Sequence, residues 1–354
     1  MPTPTTASTT SKVKLALIGA GNIAAFHLRG LLAHADKAEC VALCDVSDAN
    51  LALCAQRLRT SPARYHDWNR LFSEQDVDAV IIALPHHLHA PAILAAAAAG
   101  KHILCEKPMC TTLAEADAIL GAVKRAGVTY MSAHNQLFSP VVREAKRLLD
   151  EGAIGGLRWL RTQDAFLAEA ASMRDTWRGD AASQGGGELI DTGYHPSYLL
   201  LYLAAAPVAA VGASMSRFHM MIEGEDTASV QVRFQNGVLG EILTSWAMER
   251  PYGTHQIHLV GDRGELFGSD NELFYRPRGF DTPARRTLPP VDTFTEEIGH
   301  FVTCLLTEER PLHGAEEGRA VLELILRATE SAAGWQSTAP KAAPERQGRL
   351  EATP

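Results

Sequence analysis

Up to about residue 135, short apolar runs alternate with amphipathic stretches. Residues 13–18 (VKLALI) read as a buried strand, and a glycine turn leads from it into a helical segment running through Leu32. Further strand-like runs follow at 40–44, 78–84, 102–105 and 128–133, separated by an alanine-rich helix at 90–99 and a helix at 113–126. Thr112 with Glu115 three residues on has the spacing of a capping box at the start of that last helix. This rhythm predicts an α/β domain with a doubly wound parallel sheet, because strands covered on both faces are apolar along their whole length.

After residue 135 the rhythm changes. A helix at 141–150 passes through Gly152, Gly155 and Gly156 into a strand beginning at 157, and further strands are predicted at 208–218, 227–234, 238–246 and 256–260. Gln235-Asn236-Gly237 is a hairpin turn between two of them. Helices at 294–306 and 316–334 close the chain, packing within this second domain or back on the first. The expected second domain is therefore α/β with an open-faced, mainly antiparallel sheet that has few helices to cover it. A broad apolar sheet face would be left exposed, which predicts burial against another subunit in a homo-dimer or homo-tetramer. The expected division is a tail at 1–11, a nucleotide-binding domain at 12–135, a substrate-binding and oligomerisation domain at 136–340, and a tail at 341–354.

Composition narrows the function. With 46% hydrophobic and 21% charged residues, the 354-residue chain can bury large cores, and its net charge of −8 argues against nucleic acid, which needs a basic field. Residues 1–11 have neither the basic start nor the apolar run of a signal or anchor, and the alanine run near 90–100 is too short for a bilayer. Six cysteines without a C-x-x-C pair fit reduced core thiols in a cytoplasm. A small diffusible substrate is expected, with no membrane partner.

Gly19-x-Gly21-x-x-Ala24 directly follows the first strand. Gly19 permits the tight turn, Gly21 lets a pyrophosphate approach the backbone, and Ala24 lets the helix pack close to the strand. The second strand ends on Asp45, at the distance where an acid bonds the ribose 2′-hydroxyl of NAD and repels the 2′-phosphate of NADP. NAD is thus the expected cofactor, held by Gly19, Ala20, Gly21, Asn22, Ile23 and Asp45, with Leu84, Pro85, His86, His89, Glu106, Lys107 and Asn135 at the ends of later strands. The pair His86-x-x-His89 has no evident orienting carboxylate, so no metal is expected. Either histidine could instead cap the following helix or bond the cofactor.

Two stretches carry candidate chemistry. Glu106-Lys107-Pro108 ends an apolar strand at the sheet edge where α/β proteins bind ligands, and reads either as a catalytic lysine or as a surface pair. In the second domain, Trp177-Arg178 and the glycine run 185–187 precede Asp191 and His195. At i and i+4 on a helix, the latter two would set a carboxylate beside an imidazole, although an ordinary helix face has the same spacing and Pro196 complicates the geometry.

Taken in order, the glycine motif, Asp45, Glu106-Lys107-Pro108, Trp177-Arg178, the glycine run and Asp191-x-Gly193-x-His195 resemble the Gfo/Idh/MocA oxidoreductase family over residues 12–335. The resemblance implies Lys107, Asp191 and His195 as catalytic residues. His195 would be the acid/base, Asp191 its electrostatic partner, and Lys107 the donor to the reacting hydroxyl. It also implies that His134, Trp177 and Arg178 face the substrate. The activity implied is NAD-dependent hydride transfer from a secondary alcohol of a sugar, sugar derivative or cyclic polyol. Alternatives are an enzyme that keeps its NAD and uses transient oxidation for elimination or epimerisation, and a non-catalytic NAD- or sugar-binding regulator. His134-Asn135-Gln136 and Tyr198 depart from the residues common in the family at those places.

Overall fold

The computed structural model describes residues 12–334 apart from Arg59. The expected tails at 1–11 and 341–354 lie outside the described residues. The N-terminal part runs β1 (Val13–Ile18), α1 (Ala24–Ala33), β2 (Ala38–Cys44), α2 (Asp48–Leu58), β3 (Ala63–Tyr65), α3 (Trp68–Glu74), β4 (Ala79–Ile82), α4 (His89–Ala98), β5 (His102–Glu106), α5 (Leu113–Ala126) and β6 (Tyr130–Ala133). The six strands are parallel, in the order β3-β2-β1-β4-β5-β6. The order reverses between β1 and β4, and that switch point opens a crevice beyond the strand ends. Leu15, Leu17, Val80, Ile81, Ile103 and Leu104 are fully buried, which is why these strands read as unbroken apolar runs.

Local signals fix several boundaries. The Thr112 side chain accepts from the Glu115 amide while Glu115 reaches back to the cap, and Gly127 ends α5 in the left-handed region at φ 64°.

The remaining elements are α6 (Pro140–Asp150), β7 (Leu157–Ala165), α7 (Ala181–Gln184), α8 (Tyr194–Ala204), β8 (Val208–Ser216), β9 (Thr227–Phe234), β10 (Leu239–Ser245), β11 (Ile257–Gly261), β12 (Gly264–Ser269), β13 (Glu272–Pro277), β14 (Ala284–Thr287), α9 (Thr293–Thr307) and α10 (Ala315–Ala333). Eight strands form one sheet in the order β14-β13-β12-β11-β7-β10-β9-β8, antiparallel except for the β7–β10 pair. The β9–β10 hairpin turns at Gly237, φ 87°. Helices α6, α8 and α10 pack on this sheet, α10 also meets α5 and α8, and α9 lies against α1. Helix α10, which meets both β6 and β8, thus ties the two sheets together, whereas α9 packs on the first domain.

The other face of the large sheet is not the broad apolar surface expected. Trp159, Leu243, Phe267 and Phe274 share it with the ion pairs Arg161–Glu241 at 2.7 Å and Arg276–Glu265 at 2.6 Å. Strict alternation along β7, β10 and β12 places aromatic and charged residues side by side there.

Candidate active site

The crevice at the switch point is a cleft of about 820 Å³ that reaches from the glycine turn to the loop before α7. At its base Gly19 adopts φ +95°, and a Cβ there would stand 2.3 Å from the Ala83 carbonyl oxygen, so only glycine fits. Gly21 lines the cleft with nothing within 4 Å of where a Cβ would be, leaving a cradle that a side chain would fill. Helix α1 has no side-chain cap and no acid in its first turn. Among the described residues the amides of Gly21, Asn22 and Ile23 find no protein acceptor. Unsatisfied amides at a helix N-terminus beside an empty cradle fit a dinucleotide pyrophosphate.

Asp45 ends β2 in the same cleft, its Oδ2 accepting the Ala20 amide at 2.7 Å and its Oδ1 the Ser47 amide at 2.8 Å. Ala20 therefore acts through its bond to Asp45 and does not line the cleft. Leu84, Pro85, His86, Glu106 and Lys107 line it as expected. His66, just after β3, and Trp68, the first residue of α3, also line it. No motif marks them, because their only signal is the place of a three-residue strand in the sheet order.

Three expected cofactor or substrate residues lie elsewhere. His89 is fully buried with both ring nitrogens on carbonyl oxygens, Nδ1 at 2.6 Å from Pro108 and Nε2 at 2.7 Å from Leu84. It neither caps α4 nor reaches the cleft, because its imidazole bridges two strand-end loops. Asn135 donates to the Thr293 hydroxyl at 3.0 Å and so faces α9. His134 is buried with Nδ1 2.7 Å from Nδ1 of His313, and it stacks on Tyr198 at 4.3 Å between ring centroids. It sits behind the cleft wall instead of touching substrate.

The other wall carries Lys107 and His195. Lys107 Nζ lies 2.5 Å from Asp191 Oδ1 and 3.0 Å from the Asp191 carbonyl oxygen. The second Asp191 oxygen accepts from Arg178 Nε at 2.6 Å, and the Arg178 guanidinium lies 4.2 Å from the centre of the Trp177 ring. Trp177 in turn meets the His86 ring at 4.5 Å. Burial alone would raise the Asp191 carboxyl, but Lys107, His86 and Arg178 outweigh it and hold the group well below the usual carboxylate range.

The helical face expected to join Asp191 and His195 does not exist. Residues 188–193 form consecutive turns and α8 begins only at Tyr194, so Pro196 falls in its first turn, where a missing N–H costs nothing. Asp191 is turned onto Lys107, and the partner of His195 is Tyr198, whose hydroxyl is 2.9 Å from Nδ1. Burial and then the Lys107 charge push the His195 imidazole down to about 3, so it is neutral at ordinary pH. Tyr198 was legible only as an oddity three residues after His195. Beneath the site Glu106 accepts from the Lys107 amide at 3.2 Å and from the buried His27 at 2.9 Å, the latter a contact that no sequence spacing suggests.

The arrangement sets an empty glycine cradle and the Asp45 carboxylate at one end of the cleft, and Lys107 and His195 at the other. Residues 13–134 match the family described as "Oxidoreductase family, NAD-binding Rossmann fold", and residues 142–267 match the GFO/IDH/MocA C-terminal domain. D-apiose dehydrogenase of Paraburkholderia graminis is 32% identical over 90% of this chain and 88% of its own. Myo-inositol 2-dehydrogenase of Thermotoga maritima is 27% identical over 90% and 96%. The solved structure of aldose-aldose oxidoreductase from Caulobacter crescentus, complexed with glycerol, superposes with a TM-score of 0.82 at 26% identity, over 91% of this chain and 98% of that one. Two consecutive family domains, a relative at 32% identity along nearly the whole length and a cleft whose amides await a pyrophosphate agree, and this chain belongs to the Gfo/Idh/MocA family of oxidoreductases with an NAD-binding Rossmann domain.

Proposed function

We propose that the protein is an NAD-dependent dehydrogenase of a secondary alcohol on a sugar, a sugar derivative or a cyclic polyol. The observation that carries this reading is Lys107, anchored by Asp191 at 2.5 Å, in the same cleft wall as His195 and beyond the glycine cradle. When bound, NAD supplies the acceptor for the hydride leaving the alcohol carbon. Lys107 and His195 are the two groups positioned to hold the alcohol oxygen. Asp191 fixes Lys107 in place, and the positive charge Lys107 carries once it has taken up the hydroxyl proton stabilises the alkoxide that develops as the carbon is oxidised. His86, Trp177 and Arg178 form the polar and aromatic wall against which a hydroxylated ring would pack. The names of the relatives, dehydrogenases of a pentose and of inositol, support this substrate class.

Cytoplasmic residence is part of the same reading, supported by six cysteines that are all unpaired and by the absence, among the described residues, of a helix long and apolar enough to cross a membrane. Assembly into a dimer or tetramer through the aromatic and charged sheet face is a further part, and light scattering that finds only monomer at micromolar concentration would overturn it.

The deciding experiment is NADH absorbance across a panel of sugars and cyclic polyols. Net NADH accumulation with one of them, lost in Lys107→Ala, is the expected result. An enzyme that retains its NAD would turn over substrate without accumulating NADH, and a regulator would bind without turnover.

A further inference from the structure

The hydrogen bond between His195 and Tyr198 has a direction. Among the described residues the Tyr198 hydroxyl has two partners, the Gln136 backbone amide at 3.1 Å and His195 Nδ1 at 2.9 Å. The amide can only donate, so it occupies a lone pair of the phenolic oxygen. Tyr198 is fully buried, and among the described residues its single O–H has no other hydrogen-bond acceptor. Were His195 to donate through Nδ1, the phenol would accept twice and its hydrogen would be left unpaired in the interior, at a cost of about 1–3 kcal/mol. The satisfied arrangement is Gln136 N–H to Tyr198 oxygen, and Tyr198 O–H to His195 Nδ1.

A neutral imidazole that accepts at Nδ1 carries its proton on Nε2. His195 Nε2 has no protein partner among the described residues, and the ring lines the cleft. We propose that Tyr198 is a positioning residue that holds His195 as the Nε2–H tautomer, so that His195 offers the substrate oxygen a hydrogen-bond donor and leaves the proton transfer to Lys107. In the oxidation direction the O–H bond of the alcohol breaks and an N–H bond forms on Lys107 in its amine form. The C–H electron pair departs as hydride to the nicotinamide, and reduction reverses each step. The role of Tyr198 in catalysis rests on the dehydrogenase reading, whereas the tautomer does not.

The test is a long-range proton–nitrogen spectrum of the full chain labelled with ¹⁵N-histidine at neutral pH, with His195→Ala assigning the resonance. Wild type should show a protonated Nε2 and a bare Nδ1. In Tyr198→Phe the signal should move toward the Nδ1–H form, while NADH affinity is kept. A protonated Nδ1 in wild type, or an unchanged tautomer in a folded Tyr198→Phe, would overturn the proposal. The wild-type spectrum decides alone if that variant does not fold.

Kinetics give a second reading once a substrate is found. A glutamine amide can donate but cannot act as a base, so His195→Gln should retain at least tenfold more turnover than His195→Ala. Equal loss in the two variants would also overturn the proposal. The spectrum is read on resting protein, so a failed sugar panel leaves it standing, and a wrong tautomer leaves the dehydrogenase assignment standing.

Discussion

Asp191 turns its carboxylate onto Lys107, with Oδ1 2.5 Å from Nζ, and leaves His195 to Tyr198. The pair is nearly dry, with 4% of the Asp191 side chain and 11% of the Lys107 side chain exposed. Asp191→Ala would strand Lys107 and Arg178 without their shared anion. Breaking such a pair from one side costs roughly 3–5 kcal/mol, and a loosened Lys107 should lose about 10²-fold in turnover through misplacement. NADH affinity should change little, because the glycine turn and Asp45 are untouched. Urea denaturation, fluorescence titration and steady-state rates check the three parts, and a variant of undiminished stability would show that the pair is not structural.

How much of this was legible beforehand depended on range. The parallel domain could be read because a buried strand needs an apolar run and a capped helix needs Thr112 and Glu115, both local signals. Strands β12 to β14 could not, because what holds them lies across strands: the Phe267–Phe274 stack at 5.2 Å and the Arg276–Glu265 pair. The same distinction divides the site. Gly19, Asp45 and Lys107 are marked by their own neighbours in sequence. The partners of Asp191, 84 residues from Lys107, and the burial of His134 against His313 are products of the assembled fold.

Two glycines of one motif should fail differently. Gly19→Ala places a Cβ 2.3 Å from the Ala83 oxygen at φ +95°, a strained backbone worth about 1–3 kcal/mol. Thermal unfolding should therefore fall. A Cβ at Gly21 meets nothing within 4 Å, so Gly21→Val should leave stability within about 0.5 kcal/mol. Its side chain would occupy the pyrophosphate cradle, so NADH affinity should drop at least roughly tenfold, about 1.4 kcal/mol. Unchanged NADH binding in a folded Gly21→Val would mean that the dinucleotide lies elsewhere.

Cofactor choice should follow Asp45. A carboxylate a few ångströms from a 2′-phosphate opposes it by about 1–4 kcal/mol per pair of unit charges. NADP should therefore bind roughly tenfold or more below NAD, and Asp45→Asn should narrow the gap while retaining one oxygen for the loop amides. Calorimetric titration of both cofactors measures it. Equal affinities in wild type would point to a cation reaching the site, and Arg64 on the neighbouring strand β3 is the first to mutate.

Glu297 provides a test of stability against pH. It is fully buried in α9, and among the described residues neither carboxylate oxygen has a hydrogen-bond partner. Burial, with a smaller contribution from Glu106, raises its carboxyl well above 4.5. The folded protein thus holds a proton that the unfolded chain releases once pH passes the ordinary carboxylate value. Stability from this group is complete below about pH 4.5 and is lost as pH rises toward the folded value, at up to roughly 1.4 kcal/mol per pH unit. Glu297→Gln keeps the shape of the protonated acid and does not titrate. The variant should therefore gain on wild type as pH is raised from about 5 to 7, and the difference in urea unfolding free energy should widen with that sign. A difference that stays constant with pH would mean that Glu297 is charged in the folded protein and has a partner, in which case α9 packs on α1 differently from the arrangement described.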